Sequence, residues 1–257
     1  MENTFRLKVY RGENQGEQYW EEFQIEIKPS MNLITALMEV QKNPINSKGE
    51  KVKPIAWEQG CLEEVCGSCT MLVNGRPRQS CTALIADYLK DSDTISLAPL
   101  SKFPLLRDLV VNRSPMFEAL KRVKAWVPAE DAFDRGEGPR ISPELQETMY
   151  SLSTCMSCGC CTEACPQFND KSKFIGPAAI SQARLFNASP LGKMLLSERN
   201  HELMKEGGIA DCGNAQNCVQ VCPKQIPLTE SIAIVGRQVG RQAVKDFFGS
   251  ADDESGF

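Results

Sequence analysis

The sequence contains a single histidine, His201, among 257 residues. One imidazole cannot supply the two histidines of a Rieske centre, nor a pair of histidines for a haem. Any haem therefore belongs to a partner. Long apolar runs are also missing. The longest stretch without a charge, Thr148 to Thr162, spans fifteen residues rich in Ser, Thr and Cys, short of the roughly 20 apolar residues a membrane span needs. No crossing of a bilayer is expected. The start, Met1-Glu2-Asn3-Thr4-Phe5-Arg6-Leu7-Lys8, lacks the basic end and apolar run of a secretory signal, which points to a cytoplasmic address. Nor is there an excess of basic charge. Lys+Arg 29 against Asp+Glu 33 leaves a net charge of -4, so no global field favours nucleic acid or anionic lipid. With 24% charged and 42% apolar residues the composition is that of a globular chain. At roughly 150 residues per domain, two domains are expected.

Against these absences stand twelve cysteines. That share is below the level of a disulfide-stapled scaffold, and a reducing compartment keeps such thiols unpaired, which leaves metal as the explanation. Their positions support it, because they fall in three bunches: Cys61, Cys66, Cys69 and Cys81; Cys155, Cys158, Cys160, Cys161 and Cys165; Cys212, Cys218 and Cys222.

Phe5, Leu7 and Val9 alternate with polar neighbours, as do Phe23, Ile25 and Ile27, the period-two signature of half-buried strands. Leu33, Ile34, Leu37 and Met38 then recur at helical spacing behind Asn32, a candidate cap. Asn74-Gly75 suits a type I′ hairpin, and Ile95-Ser96-Leu97 reads as a further strand. From Pro104 onward the periods are helical: Leu105, Leu106, Leu109 and Val110, then Met116, Phe117, Leu120 and Val123. Pro128 to Pro143 reads as an extended connection. Ser142-Pro143-Glu144 opens another helix, and further helices are expected over 177–186, 190–206 and 228–248. The expectation is an α+β chain, with a mixed-sheet domain over 1–104 and a helical domain over 105–257.

Cys61-x4-Cys66-x2-Cys69-x11-Cys81 matches the plant-type 2Fe-2S spacing in its first three members. Small residues Gly60, Gly67 and Ser68 allow backbone N–H groups to approach the sulfurs. The alternative is a structural zinc site, for which these spacings are less usual. Cys155-x2-Cys158-x2-Cys161-x3-Cys165-Pro166 is the bacterial ferredoxin run, whose fourth cysteine serves the other cluster. Cys212-x5-Cys218-x3-Cys222-Pro223 follows the same template with Ala215 where a second cysteine would stand. Exchange of the terminal cysteines assigns Cys155, Cys158, Cys161 and Cys222 to a 4Fe-4S cluster. Cys165, Cys212 and Cys218 remain, three thiolates that suit a 3Fe-4S cluster. The rival there is a 4Fe-4S cluster with water or hydroxide on one iron. Cys160 is surplus and reads as a buried thiol, and His201, among charged residues, reads as exposed.

Three clusters in this order, on Cys61-Leu62-Glu63-Glu64-Val65-Cys66-Gly67-Ser68-Cys69, Arg76-Pro77-Arg78-Gln79-Ser80-Cys81, Lys173-Phe174-Ile175-Gly176-Pro177 and Asn217-Cys218-Val219-Gln220-Val221-Cys222-Pro223-Lys224, resemble the iron-sulfur subunits of succinate dehydrogenase and fumarate reductase, most of all the Bacillus-type enzymes linked to menaquinone. The resemblance covers nearly the whole chain. It implies a plant-ferredoxin-like β-grasp half and a helical bacterial-ferredoxin-like half. It also implies a peripheral subunit on the cytoplasmic side of the cell membrane, with no catalytic residues of its own. Electrons would pass between the FAD of a flavoprotein subunit and a quinone at a membrane-anchor cytochrome b carrying haem b. The amino half would face the flavoprotein and the three-iron end the anchor. Family members that reduce ubiquinone carry a tryptophan soon after the second bunch and a histidine after the cysteine opening the third; here stand Gln167-Phe168 and Gly213. Competing readings are fumarate reduction, the iron-sulfur part of another dehydrogenase, a soluble ferredoxin, and a zinc-binding structural module. Lys121, Arg122 and Lys124, with Lys171 and Lys173, are either partner or lipid contacts or plain solvated faces. Tyr19-Trp20, Trp57 and Trp126 are either interface anchors or partly buried.

Overall fold

A computed structural model describes residues 3–13, 15–128 and 139–253. The backbone forms two compact units, Met1–Arg113 with Met156–Ala164, and Ser114–Cys155 with Cys165–Phe257.

In the first unit β1 (Thr4–Arg11) and β2 (Tyr19–Glu26) pair antiparallel. Phe5, Leu7, Val9, Phe23 and Ile25 all point into the core, as alternation requires. Helix α1 (Leu33–Lys42) follows a capping box: Asn32 accepts from the Thr35 N–H, and the Thr35 hydroxyl accepts from the Asn32 N–H. Strands β3 (Thr70–Val73) and β4 (Arg76–Gln79) form the expected hairpin. Asn74 and Gly75 have φ of 47° and 77°, the two positive values a type I′ turn demands. After the short α2 (Ile85–Tyr88), β5 (Thr94–Ala98) completes a mixed sheet of order β2-β1-β5-β3-β4, parallel to β1 and antiparallel to β3. Leu33, Ile34, Leu37 and Val40 of α1 fill the same core as the strands.

One helical expectation fails in this unit. Leu105 to Val110 is a two-stranded ribbon, β6 (Leu105–Arg107) and β7 (Val110–Val111), turning at Asp108. Asp108 has φ 49°, and its buried carboxylate accepts from the N–H groups of Gly12 and Ala56 and from Arg11. Tertiary hydrogen bonding there overrides a short helical period.

The second unit is helical. It comprises α3 (Ser114–Arg122), α4 (Pro143–Ser153), α6 (Pro177–Ala188), α7 (Leu196–Met204), the short α8 (Asn217–Gln220) and α9 (Leu228–Asp253). The single turn α5 (Cys160–Glu163) belongs to the first unit, where it packs against β4. Ser142 caps α4 as expected, accepting from the Leu145 N–H with Pro143 in the first turn. The helix expected over 190–206 is broken into a 3-10 turn, Gly192–Leu195, and α7. The turn frees the Gly192 carbonyl to accept from Arg199 at 2.7 Å. Phe174, Ile180, Ala183, Leu203, Val235 and Val239 form the core of this unit. Residues 129–138 of the expected connection lie outside the described residues. No helix among the described residues is long and apolar enough to cross a membrane.

Candidate metal centres

The first cysteine bunch occupies the loop leading into β3 and the turn leaving β4. Leu62, Glu64 and Gly67 have φ of 62°, 55° and 76°, so the backbone curls and turns its N–H groups inward. The Cys61 sulfur accepts from the N–H groups of Glu63, Val65 and Cys66 at 3.2 to 3.4 Å, and the Cys66 sulfur from that of Cys61 at 3.4 Å. The Ser68 hydroxyl and the N–H groups of Cys61 and Ser68 hold the Cys66 thiol down at about 6. Burial pushes the Cys69 thiol up to about 11. Arg113 ties the loop, donating to the carbonyls of Gly67 and Ser68 at 2.8 Å each.

Gly60 permits the close packing of this loop, since a Cβ there would lie 2.8 Å from the Cys66 sulfur. Gly67 is more constrained still. Its φ of 76° is left-handed, and a Cβ would meet the Met156 carbonyl oxygen at 2.9 Å and Cys158 at 3.0 Å. Ser80, wholly buried between Gln79 and Cys81, has a hydroxyl without a hydrogen-bond partner among the described residues.

Cys158, Cys160 and Cys161 lie together on the Met156–Ala164 segment, all buried. Gly159, with φ 89°, sets the turn into α5. Glu163 anchors the segment, its carboxylate accepting from the N–H groups of Ser101 at 2.9 Å and Lys102 at 3.1 Å. A hydrogen bond to Cys158 and burial hold the Cys160 thiol far above its ordinary range. It is fully buried, as its surplus position implied.

In the second unit Cys165, Cys212 and Cys218 line one small pocket, and Ala215 lines it with them. Burial, and the charges of Cys165 and Cys212 nearby, raise the Cys218 thiol. Asn214 and Gln216, on either side of Ala215, have φ of 51° and 61°, folding the loop tightly over the pocket. Gly213 sits under Gln167, whose Nε2 would be 2.4 Å from a Cβ there. Cys155 and Cys222 also belong to this unit, and the Cys222 sulfur accepts from the Ile226 N–H at 3.4 Å.

These features fit iron-sulfur ligation: sulfurs supplied with backbone donors, cradles too close for a Cβ, and an unpartnered hydroxyl beside the first bunch. Among the described residues no three His, Cys, Asp or Glu side chains converge as a single-ion site requires, and no two cysteines form a disulfide. His201 lies half-exposed on α7, paired with Asp246 at 2.8 Å. Lys121, Arg122, Lys124 and Lys173 pair with Glu118, Glu202, Glu198 and Glu206, as solvated faces do. Tyr19, Trp20 and Trp126 are substantially exposed, whereas Trp57 packs against the core. Arg113 and Glu163 carried no signal in the sequence, since the partners of each lie tens of residues away.

A family model described as a 2Fe-2S iron-sulfur cluster binding domain matches residues 5–118, and one described as a 4Fe-4S dicluster domain matches 151–226. The chain is 57% identical over 232 residues to the succinate dehydrogenase iron-sulfur subunit of Bacillus subtilis (strain 168), covering 90% of each chain. It is 30% identical over 224 residues to the fumarate reductase iron-sulfur subunit of Wolinella succinogenes, covering 86% of this chain and 90% of that one. A chain of the Mycobacterium smegmatis Sdh1 complex in the apo form shares the fold, with a TM-score of 0.76 at 23% identity over 94% of this chain and 98% of that one. With cysteine spacing, loop geometry and relatives in agreement, the chain belongs to the family of succinate dehydrogenase and fumarate reductase iron-sulfur subunits.

Proposed function

We propose that this chain is the electron-transfer subunit of a membrane-bound succinate:quinone oxidoreductase, working between the FAD of a flavoprotein subunit and a quinone at a membrane-anchor cytochrome b with haem b. The identity of 57% to a succinate dehydrogenase subunit, against 30% to a fumarate reductase subunit, favours succinate oxidation as the direction. Cys61, Cys66, Cys69 and Cys81 would hold a 2Fe-2S cluster, Cys155, Cys158, Cys161 and Cys222 a 4Fe-4S cluster, and Cys165, Cys212 and Cys218 a 3Fe-4S cluster. When bound, such clusters supply one-electron couples that connect two-electron flavin chemistry to a quinone. The chain's own residues bind and tune. The N–H groups of Glu63, Val65 and Cys66 stabilise negative charge on the Cys61 sulfur. Burial of Cys69, Cys81, Cys158, Cys161 and Cys218 keeps water from those thiolates.

Menaquinone is the favoured quinone. Gly213 follows Cys212, Gln167 fills the space a side chain at 213 would need, and no tryptophan follows Pro166. With no helix among the described residues suited to crossing a bilayer, the anchor subunit would hold this chain at the membrane, on its cytoplasmic side.

The observation that carries this reading is the pocket shared by Cys165, Cys212, Cys218 and Ala215, three thiolates and a methyl group where a four-iron site needs a fourth donor. EPR of the oxidised complex tests it. Wild type should give a three-iron signal, and Ala215→Cys should replace it with a four-iron signal on reduction. No three-iron signal in an intact wild-type complex would overturn the assignment.

A further inference from the structure

Gln79, the last residue of β4, is wholly buried beside the first cysteine bunch. Glutamine is seldom fully buried, and its amide must find partners when it is. One end of this amide lies 3.4 Å from the Cys69 sulfur; the other lies 2.6 Å from the Thr70 hydroxyl and 3.9 Å from the Cys160 sulfur. Thr70 faces Gln79 across the β3–β4 ladder, so the hairpin register fixes the amide in place. Cys160 in turn directly precedes Cys161. A single buried amide thus stands between a ligand of the two-iron site and the thiol next to a ligand of the four-iron site.

The Cys69 thiol donates to the Gln79 side-chain oxygen. A ligating Cys69 is a thiolate and has no proton to give. The group facing it must then be a donor, and a half-turn of the amide puts N–H there with little change in shape. The Thr70 hydroxyl, now directed at the Gly67 carbonyl at 2.7 Å, turns to donate to the Gln79 oxygen instead.

We propose that Gln79 is a potential-setting residue of the two-iron site, donating a side-chain N–H···S hydrogen bond to ligated Cys69. This rests on the ligand assignment above. A hydrogen bond to a ligand sulfur favours the reduced state, which carries one more negative charge, and so raises the midpoint potential. Gln79 stands in the Arg76-to-Cys81 stretch, but its contacts are not legible there, because its partners come from β3 and from the Met156–Ala164 segment.

The test is a redox titration of the two-iron EPR signal in the intact complex, comparing wild type with Gln79→Leu, which keeps bulk and removes both polar atoms. At the wild-type midpoint, the ratio of reduced to oxidised centre should fall about tenfold in the variant, a shift of about 59 mV for a one-electron couple. A ratio unchanged within about twofold, with the signal intact, would overturn the proposal. Should the variant fail to assemble, protein that keeps Gln79 decides. With glutamine side chains labelled with 15N, and with Gln59, the neighbour of Gly60 in the same loop, replaced by Ser so that it adds no coupling of its own, pulsed EPR should find a nitrogen coupling on the two-iron signal. Its absence would overturn the proposal as well. Failure of the ligand assignment looks different: wild type itself would lack a two-iron signal.

Discussion

Replacing Gly67 by alanine perturbs the two-iron loop at its most constrained point. The added Cβ meets a backbone oxygen at 2.9 Å and Cys158 carbon atoms at 3.0 Å, and φ is 76°. Gly49 provides the comparison, since its φ is 81° but nothing lies within 4 Å of an added Cβ. Gly49→Ala pays only for a left-handed alanine, about 1 kcal/mol. Gly67→Ala pays that and an overpacking cost of about 1–3 kcal/mol, for a total of about 2–4 kcal/mol. For a chain of this size, 1 kcal/mol corresponds to about 2–4 °C in Tm. The holoprotein, heated anaerobically and followed by circular dichroism and by visible cluster absorbance, should lose about 2–4 °C in Gly49→Ala and about 4–16 °C in Gly67→Ala. Cluster absorbance should also disappear earlier than secondary structure in Gly67→Ala alone. Equal losses in the two variants would refute the packing argument.

Two further substitutions probe buried charge. Arg199 is wholly buried and donates to the carbonyls of Lys124, Gly192 and Trp126 and to the Asn187 amide oxygen; burial lowers its pKa to about 10. Arg199→Met leaves those acceptors bare at about 1–3 kcal/mol each, so the denaturant midpoint of the holoprotein should fall by more than in any exposed-lysine control such as Lys90→Met. Arg11 bridges the buried carboxylates of Glu21 and Asp108. Arg11→Met removes the cation buried between them and should cost about 3–5 kcal/mol, with part recovered in the Arg11→Met/Glu21→Gln double variant; no recovery would show that the ion pair is not what the arginine supplies.

The cysteine spacing was readable because it is local: Cys155, Cys158, Cys161 and Cys165 fall within one loop and a helical turn. Alternation in β1 and β2, the Asn32 and Ser142 caps and the Asn74-Gly75 turn were readable for the same reason, each being decided by near neighbours. Leu105 to Val110 was misread because a six-residue apolar period is weaker than three hydrogen bonds to Asp108 from residues 52 to 97 positions away. The contacts of Arg113, Glu163, Arg199 and Gln79 had no signature for a related reason. Each is a polar residue whose value lies in acceptors or donors brought by distant segments, and a sequence read in windows does not contain them.

Mössbauer spectroscopy of the 57Fe-enriched, anaerobically purified complex tests the central claim most directly. Eleven cysteines holding three different clusters predict iron distributed among two-, four- and three-iron centres in a ratio of about 2:4:3, roughly nine irons per chain, with haem iron separately accounted for. Iron in two- and four-iron centres alone, or zinc in place of iron at any of the three cysteine bunches, would contradict it.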